Sequence, residues 1–441
     1  MKITKIKTNY NSNILFEKID IKPDNEDYLN DSINITIMPS NEKQNFIGFG
    51  AALTEASAYC FSLLSKQKQN EFLNDCFGEN GLNYNISRLT IASSDFSLKS
   101  YSYSNKKDLS DFSTKKDEEY VIPFIKRVQE YKQDIKFLAS PWSPPRFMKS
   151  NKLLIFGGRL LEKYYQTYAN YISKYIIDYK SKGINIDYIT IQNEPEATQV
   201  WESCRYTAEQ EANFAVNFLF PTFKENNINT KIIAWDHNKD LLLERVNKIM
   251  NYPKANDVIV GFGHHWYTGD YFEDVNKTHK MFKDKLLIHT EGCTGFSNFN
   301  PNDEIKNAEM YAHDIIGDLA NGTISYIDWN ILLDNKGGPN HKKNYCNSPI
   351  MLNKDNNDYI KMLPYYYIKH FSNIIKPNAK LLSTLTDNTL ETLSFKNEDK
   401  SIAIIILNRT DDNAAFTINL ENTKINDIIA SHEILSYLIN A

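Results

Sequence analysis

Two glutamates stand where a proton donor and a nucleophile could work together. Glu194 directly follows the strand-like run "IDYITIQN" and begins "EP", while Glu291 stands next to last in "KLLIHTEG". A charge at the tip of an apolar strand is costly unless it has a partner or a task. Two carboxylates facing each other across a pocket can cleave a glycosidic bond: one protonates the leaving oxygen while the other attacks the anomeric carbon or activates water. Asn193, beside Glu194, can hydrogen-bond a sugar hydroxyl. The tryptophans Trp142, Trp201, Trp235, Trp266 and Trp329 all fall at or just after the ends of such runs. Flat aromatic faces stack on the apolar face of a sugar, although about two of the five are expected to pack under loops instead.

The same region permits other chemistry. His264, His265, His289 and Glu291 are residue types that hold a catalytic metal. Adjacent strand residues point to opposite sides, so one of His264 and His265 faces inward, and His289 and Glu291, two apart, are expected to share a face. Cys293 could be named a nucleophile, but the sequence offers no activating partner, and a packed thiol beside the pocket is the simpler reading.

The elements that position these residues follow from hydrophobic pattern. Eight strand candidates, at 46–54, 85–93, 135–141, 186–193, 231–236, 258–267, 285–292 and 323–330, alternate with longer helical stretches. In 160–183, Leu161, Tyr164, Tyr165, Tyr168, Ile172, Tyr175, Ile176 and Tyr179 recur at helical spacing, and Gly183 stops the helix. Eight such units point to an α/β fold, a (β/α)₈ TIM barrel, with a doubly wound open sheet as the alternative. In the barrel the active site lies where strands end, which is where both glutamates fall. Residues 389–420 read as an antiparallel meander, and 32–40 alternates Ile33, Ile35 and Ile37 with polar residues. Both ends are expected to join in one β-sandwich-like side domain, with boundaries at 1–44, 45–371 and 372–441.

Composition narrows the partners. A net charge of -5 leaves no basic footprint for nucleic acid. No stretch reaches the roughly 20 apolar residues that span a bilayer, so no integral membrane segment is expected. The N-terminal residues lack the apolar core of a signal peptide, and the five scattered cysteines fit reduced thiols. The expected compartment is the cytoplasm, with export by a route needing no signal peptide as the alternative.

The motifs "GFGAALTEA", "YNISRLTIASSDFS", "LASPWSPPRFMKSN", "QNEP", "HHWY", "HTEGC", "DWNILLDNKGGPNH" and "NYCNSPI", in this order, resemble glycoside hydrolase family 30, in its glucosylceramidase (acid β-glucosidase) branch. The resemblance implies a retaining β-glucosidase acting on a small β-glucoside or a glycolipid, with no cofactor and no metal. It implies Glu291 as nucleophile, Glu194 as acid/base and Asn193 as partner of the sugar 2-hydroxyl. It places Arg88 and Tyr267 on the nucleophile, and Asp95, Trp142, Trp329 and Asn344 on the terminal glucose, with Trp266 lining the same pocket. His341, Lys342, Tyr345 and Cys346 depart from the pattern at the entrance. Tyr345, Ile350 and the run "PYYYI" could meet a ceramide, although Tyr365 to Tyr367 also fit a packed helix. Activity on β-1,6-glucan or a β-xyloside is the alternative within the family. A metal-dependent barrel hydrolase and an inactive carbohydrate-binding barrel are the alternatives outside it.

Overall fold

The computed structural model describes residues 2–24, 32–297, 300–353, 355 and 357–440. Eight parallel strands close into a barrel: Gly48–Ala52, Ile86–Ile91, Lys136–Pro141, Tyr188–Thr190, Lys231–Asn238, Ile259–His265, Leu286–Glu291 and Ser325–Asn330. Every expected strand is among them, and closure sets the open sheet aside. Both faces of these strands are covered, so they read as apolar runs and not as alternating ones. Outward side chains such as Leu89, Phe137 and Ile189 join the large core under the helices. Inward ones, including Ile86, Leu138, Tyr188, Ile233 and Ile288, form a separate apolar plug. Because a strand keeps one face at every second residue, Arg88, Ser140, Thr190 and Thr290 stand directly above that plug. The barrel interior thus changes from aliphatic to polar within one step toward the strand ends.

Between the third and fourth strands, helix Tyr165–Ser181 buries Tyr168, Ile172, Tyr175 and Tyr179, the expected stripe. Gly183, at φ +72°, ends it in the left-handed conformation that glycine adopts without strain.

The remaining long strands form one nine-stranded sheet drawn from both ends of the chain. The stretch containing Ile33, Ile35 and Ile37 is the strand Ile33–Asn45, which pairs in parallel with Ala414–Leu420 and antiparallel with Lys380–Leu385. Lys2–Asn9 pairs with the last strand, Glu433–Asn440. The sheet curls on itself, so that Phe416 meets Tyr437 edge-on at 6.4 Å and Tyr437 donates a 2.7 Å hydrogen bond to Asp427. Strand Ile402–Asn408 is buried at every position because its two faces have different neighbours. Ile402, Ile404 and Ile406 enter the sheet's own core, whereas Ala403, Ile405 and Leu407 pack on the barrel. Among the described residues no helix is long and apolar enough to cross a membrane.

Candidate active site

The polar layer above the plug forms the floor of the site. Arg88 is fully buried and donates from Nη1 to Glu291 Oε2 at 2.5 Å, from Nη2 to Asn193 Oδ1 and Asp236 Oδ2 at 2.8 Å each, and from Nε to Ser140 Oγ at 3.1 Å. Asp236 also accepts from Thr190 and Thr290 at 2.6 Å each and from Ser140 at 3.0 Å, with His265 Nε2 at 2.9 Å. Burial opposes its charge, but Arg88 and these donors outweigh burial and hold its carboxyl well below the usual range. A buried carboxylate survives only when its lone pairs are filled in this way.

Irregular strand ends give neighbouring residues separate tasks. The register shifts between Trp235 and His237, between His289 and Glu291, and between Asp328 and Asn330. Trp235 and Asp236 have φ of +70° and +62°, backbone strain held in place by the surrounding contacts. Trp235 therefore lies against Arg245, at 5.2 Å, while Asp236 faces into the barrel. On the seventh strand Thr290 and Glu291 both face inward, and His289 faces out, stacked on Tyr326 at 3.9 Å. The expectation that His289 and Glu291 share a face fails here, because the bulge adds a residue to the alternation. Alternation does hold for the histidine pair: His265 reaches Asp236, and His264 turns to Thr323 at 2.9 Å.

Glu194 sits at φ +48°, its N–H bonded to the Asp236 carbonyl at 2.9 Å. One carboxyl oxygen of Glu194, one of Glu291 and a ring nitrogen of His265 lie within 4.8 Å of one another. Tyr267 donates to Glu291 Oε1 at 2.9 Å, while Glu194 Oε1 has His265 Nδ1 at 3.5 Å and His237 Nε2 at 4.0 Å. Burial opposes a charge on His265, but Glu291, Asp236 and Glu194 hold it up at about 9. Burial raises Glu194, yet His265 and His237 outweigh it and keep Glu194 below its ordinary value. Burial, aided by the Glu194 charge, lifts Glu291 above its own despite His265 and Arg88. At neutral pH the proton nearest Glu194 thus resides on His265.

Above the carboxylates opens a cavity of about 360 Å³. Its lining includes the expected Asp95, Trp142, Asn193, Tyr267, Trp329 and Asn344 together with both glutamates. Trp142 and Trp329 stack at 5.2 Å and close one end. Asp95 Oδ2 accepts from Asn340 at 3.2 Å and Asn344 at 3.1 Å, and burial pushes its carboxyl up to about 7 against those two donors. Arg88 belongs to the floor but not to the lining, and acts on the cavity through Glu291 and Asn193. Trp266 stands outside the lining: its indole donates to the Cys293 carbonyl at 3.2 Å and its ring packs on Tyr311 at 4.8 Å. Trp235 and Trp266 stay out of the lining and pack against residues of helices, Arg245 and Tyr311, whereas Trp201 joins the lining. Gly292 is required beneath Trp266, since a Cβ there would lie 2.9 Å from the indole ring and from His289 Nε2. Ile350 is fully buried, Tyr365 and Tyr367 are buried in helix Leu363–Ser372, and none of them lines the cavity. Only Tyr345 of that expected apolar group does so.

Sequence reasoning missed Gln199, His237 and Asn238 in the lining and Ser140, Thr190 and Thr290 in the floor. The floor residues carried a signal, since a polar residue recurs two places after each plug residue on the second, third, fourth and seventh strands. Two groups of described residues have metal-ligand geometry: His264, His289 and Asp318, and Glu194, His265 and Glu291. In the first, Lys239 already supplies a cation to Asp314 and Asp318, and His289 Nδ1 bonds Asp318 at 2.8 Å. In the second, His265 Nε2 is bonded to Asp236 at 2.9 Å, and the Glu291 oxygens are taken by Arg88 at 2.5 Å and Tyr267 at 2.9 Å.

A (β/α)₈ barrel with paired carboxylates at the ends of its fourth and seventh strands, below a pocket walled by tryptophan, is the frame of a glycoside hydrolase. The match to known proteins agrees. The glycosyl hydrolase family 30 TIM-barrel domain matches residues 46–375, and the family's beta sandwich domain matches 380–432. The chain belongs to glycosyl hydrolase family 30. It is 28% identical to the lysosomal acid glucosylceramidase of Mus musculus over 407 residues, 87% of this chain and 79% of that protein. Among solved structures, SrfJ from Salmonella typhimurium superposes with a TM-score of 0.97 at 30% identity, and the endo-beta1,6-glucanase BT3312 with 0.89 at 27%, each over the full length of both chains.

Proposed function

We propose that the enzyme releases a terminal β-glucosyl group with retention of configuration, with Glu291 as nucleophile and Glu194 as acid/base. The observation that carries this is the approach of the two carboxyl groups to within 4.8 Å. Retaining enzymes hold their carboxyls ~5–5.5 Å apart, whereas inverting ones leave ~6.5–9.5 Å for a water. Arg88 and Tyr267 orient Glu291 toward the anomeric carbon, and Asn193, itself fixed by Arg88, presents its amide to the 2-hydroxyl. The proton for the leaving oxygen starts on His265, passes to Glu194 across the 3.5 Å contact and goes from there to the leaving oxygen. Once Glu291 carries the sugar its charge is gone, and Glu194 accepts a proton from the attacking water.

The substrate we infer is a chain-end glucose on an apolar or small aglycone, glucosylceramide included. The stacked Trp142 and Trp329 and the bridge from Asp95 to Asn340 and Asn344 support a closed sugar end. At the mouth, Tyr345 and Tyr267 are each 42% exposed and offer apolar surface to the aglycone. The full-length similarity to the endo-beta1,6-glucanase BT3312 supports a second reading, cleavage of β-1,6-glucan. Kinetics on an aryl β-glucoside, detergent-dispersed glucosylceramide, an aryl β-xyloside and long β-1,6-glucan separate the two. Glucose released from the first two supports the first reading. Oligosaccharides appearing from glucan before glucose overturn it.

A further inference from the structure

The five cysteines divide by access. Cys60, Cys76 and Cys204 are fully buried away from the cavity, whereas Cys293 and Cys346 both line it. The backbone brings these two together from separate strand ends. Gly295 and Cys346 form an antiparallel bridge, and the Asn347 N–H donates to the Thr294 carbonyl at 2.8 Å. The Asn347 side chain adds bonds to Thr294, Gly295 and Ser297. Cys293 and Cys346 pack in one side-chain cluster with Trp329. The neighbouring Cys346 thiol, together with burial, keeps Cys293 protonated well above the usual thiol range. Cys293 Sγ also lies 3.5 Å from the Tyr267 hydroxyl, the group that bonds Glu291.

We propose that Cys293 and Cys346 form a dithiol modification site in the wall of the catalytic cavity, one that small-molecule disulfides oxidise to an intramolecular disulfide. The Cys293 thiolate attacks one sulfur of the reagent, forms a mixed disulfide and expels one small thiolate. The Cys346 thiolate then attacks the Cys293 sulfur and expels the second. The protein loses two electrons and two protons, and the reagent is reduced to two small thiols. The first step is slow, because the protonated Cys293 must ionise. The second is fast, because the Gly295–Cys346 bridge holds both residues in one side-chain cluster.

The test treats the native protein with dithiodipyridine and reads thiopyridone release by absorbance and protein mass by spectrometry. The expected result is two thiopyridones per chain, a mass lower by two hydrogens, and a Cys293–Cys346 crosslinked peptide that reductant abolishes. In Cys346→Ser the release falls to one and the thiopyridyl group stays on Cys293. A stable thiopyridyl adduct on the unmutated protein, or a Cys346→Ser protein that still loses two hydrogens, overturns the proposal. The readout is mass, so it stands or falls separately from the glycoside the enzyme cleaves.

Discussion

His265 Nδ1 stands 3.5 Å from the Glu194 carboxylate while its Nε2 stands 2.9 Å from Asp236. The imidazolium is thus clamped between two carboxylates at the base of the cavity. The two glutamates therefore belong to a three-group system in which Glu194 and His265 share one proton.

That sharing sets the alkaline limb of activity. The shared proton is retained until His265 titrates at about 9. In His265→Gln the limb reports Glu194 alone, so it moves to lower pH and the bell narrows. The maximal rate drops by about 10- to 100-fold, since the acid loses its proton source but not its position. The pH dependence of kcat/KM on an aryl β-glucoside decides this; an unmoved alkaline limb refutes the sharing.

Glu291→Gln should abolish turnover, by on the order of 10⁴-fold or more, because no other group can form the glycosyl intermediate. Glu194→Ala should keep slow turnover of substrates with good leaving groups, which need no protonation. Azide should then raise the rate and give a β-glycosyl azide, identified by NMR. An α-configured azide contradicts retention.

Asp95 gives a second, independent pH effect. Burial pushes its carboxyl up to about 7, so it is protonated below that value and becomes an acceptor-only carboxylate above it. Asn340 and Asn344 occupy Oδ2 and leave Oδ1 for a sugar hydroxyl. A charged acceptor binds a hydroxyl more strongly than a neutral one. KM should therefore fall by about 3- to 10-fold as pH rises through about 7, and Asp95→Asn should leave KM flat and high. Steady-state kinetics at several pH values read this directly, and a KM in Asp95→Asn that still follows pH refutes it.

What the sequence disclosed was decided by period. Strands covered on both faces give continuous apolar runs, so the eight barrel strands were legible, as was the stripe from Tyr165 to Tyr179. Both glutamates were legible because a carboxylate at an apolar strand tip conflicts with its surroundings. Bulges leave no such mark: nothing in "LLIHTEG" announces that His289 and Glu291 diverge, since the extra residue arises from how neighbouring strands pair. Trp266 misled for a related reason. It directly precedes Tyr267, which lines the cavity, and the period of two sends it to the other side.

The seam between barrel and side sheet carries the last prediction. His313, in helix Pro301–Ala320, bonds Glu391 at 2.7 Å and Asp270 at 3.1 Å, and His432, beside the last strand, bonds Glu309 at 2.8 Å and Asp411 at 3.0 Å. For His432 the Glu309 bond outweighs burial, and for His313 burial is outweighed by Glu391 and Asp270, so both are raised above the ordinary value. A group raised in the folded state stabilises fully below its unfolded pKa, roughly 6.5 for histidine, and loses that contribution as pH rises through its folded value. The double variant His313→Gln/His432→Gln should therefore melt lower than the unmutated protein at about pH 5.5 and match it more closely at about pH 9. Solvent screens these partly exposed pairs, so the low-pH difference should be about 2–4 °C. Thermal melts across that range settle the point: a gap between the two proteins that widens with rising pH refutes the histidine clamp.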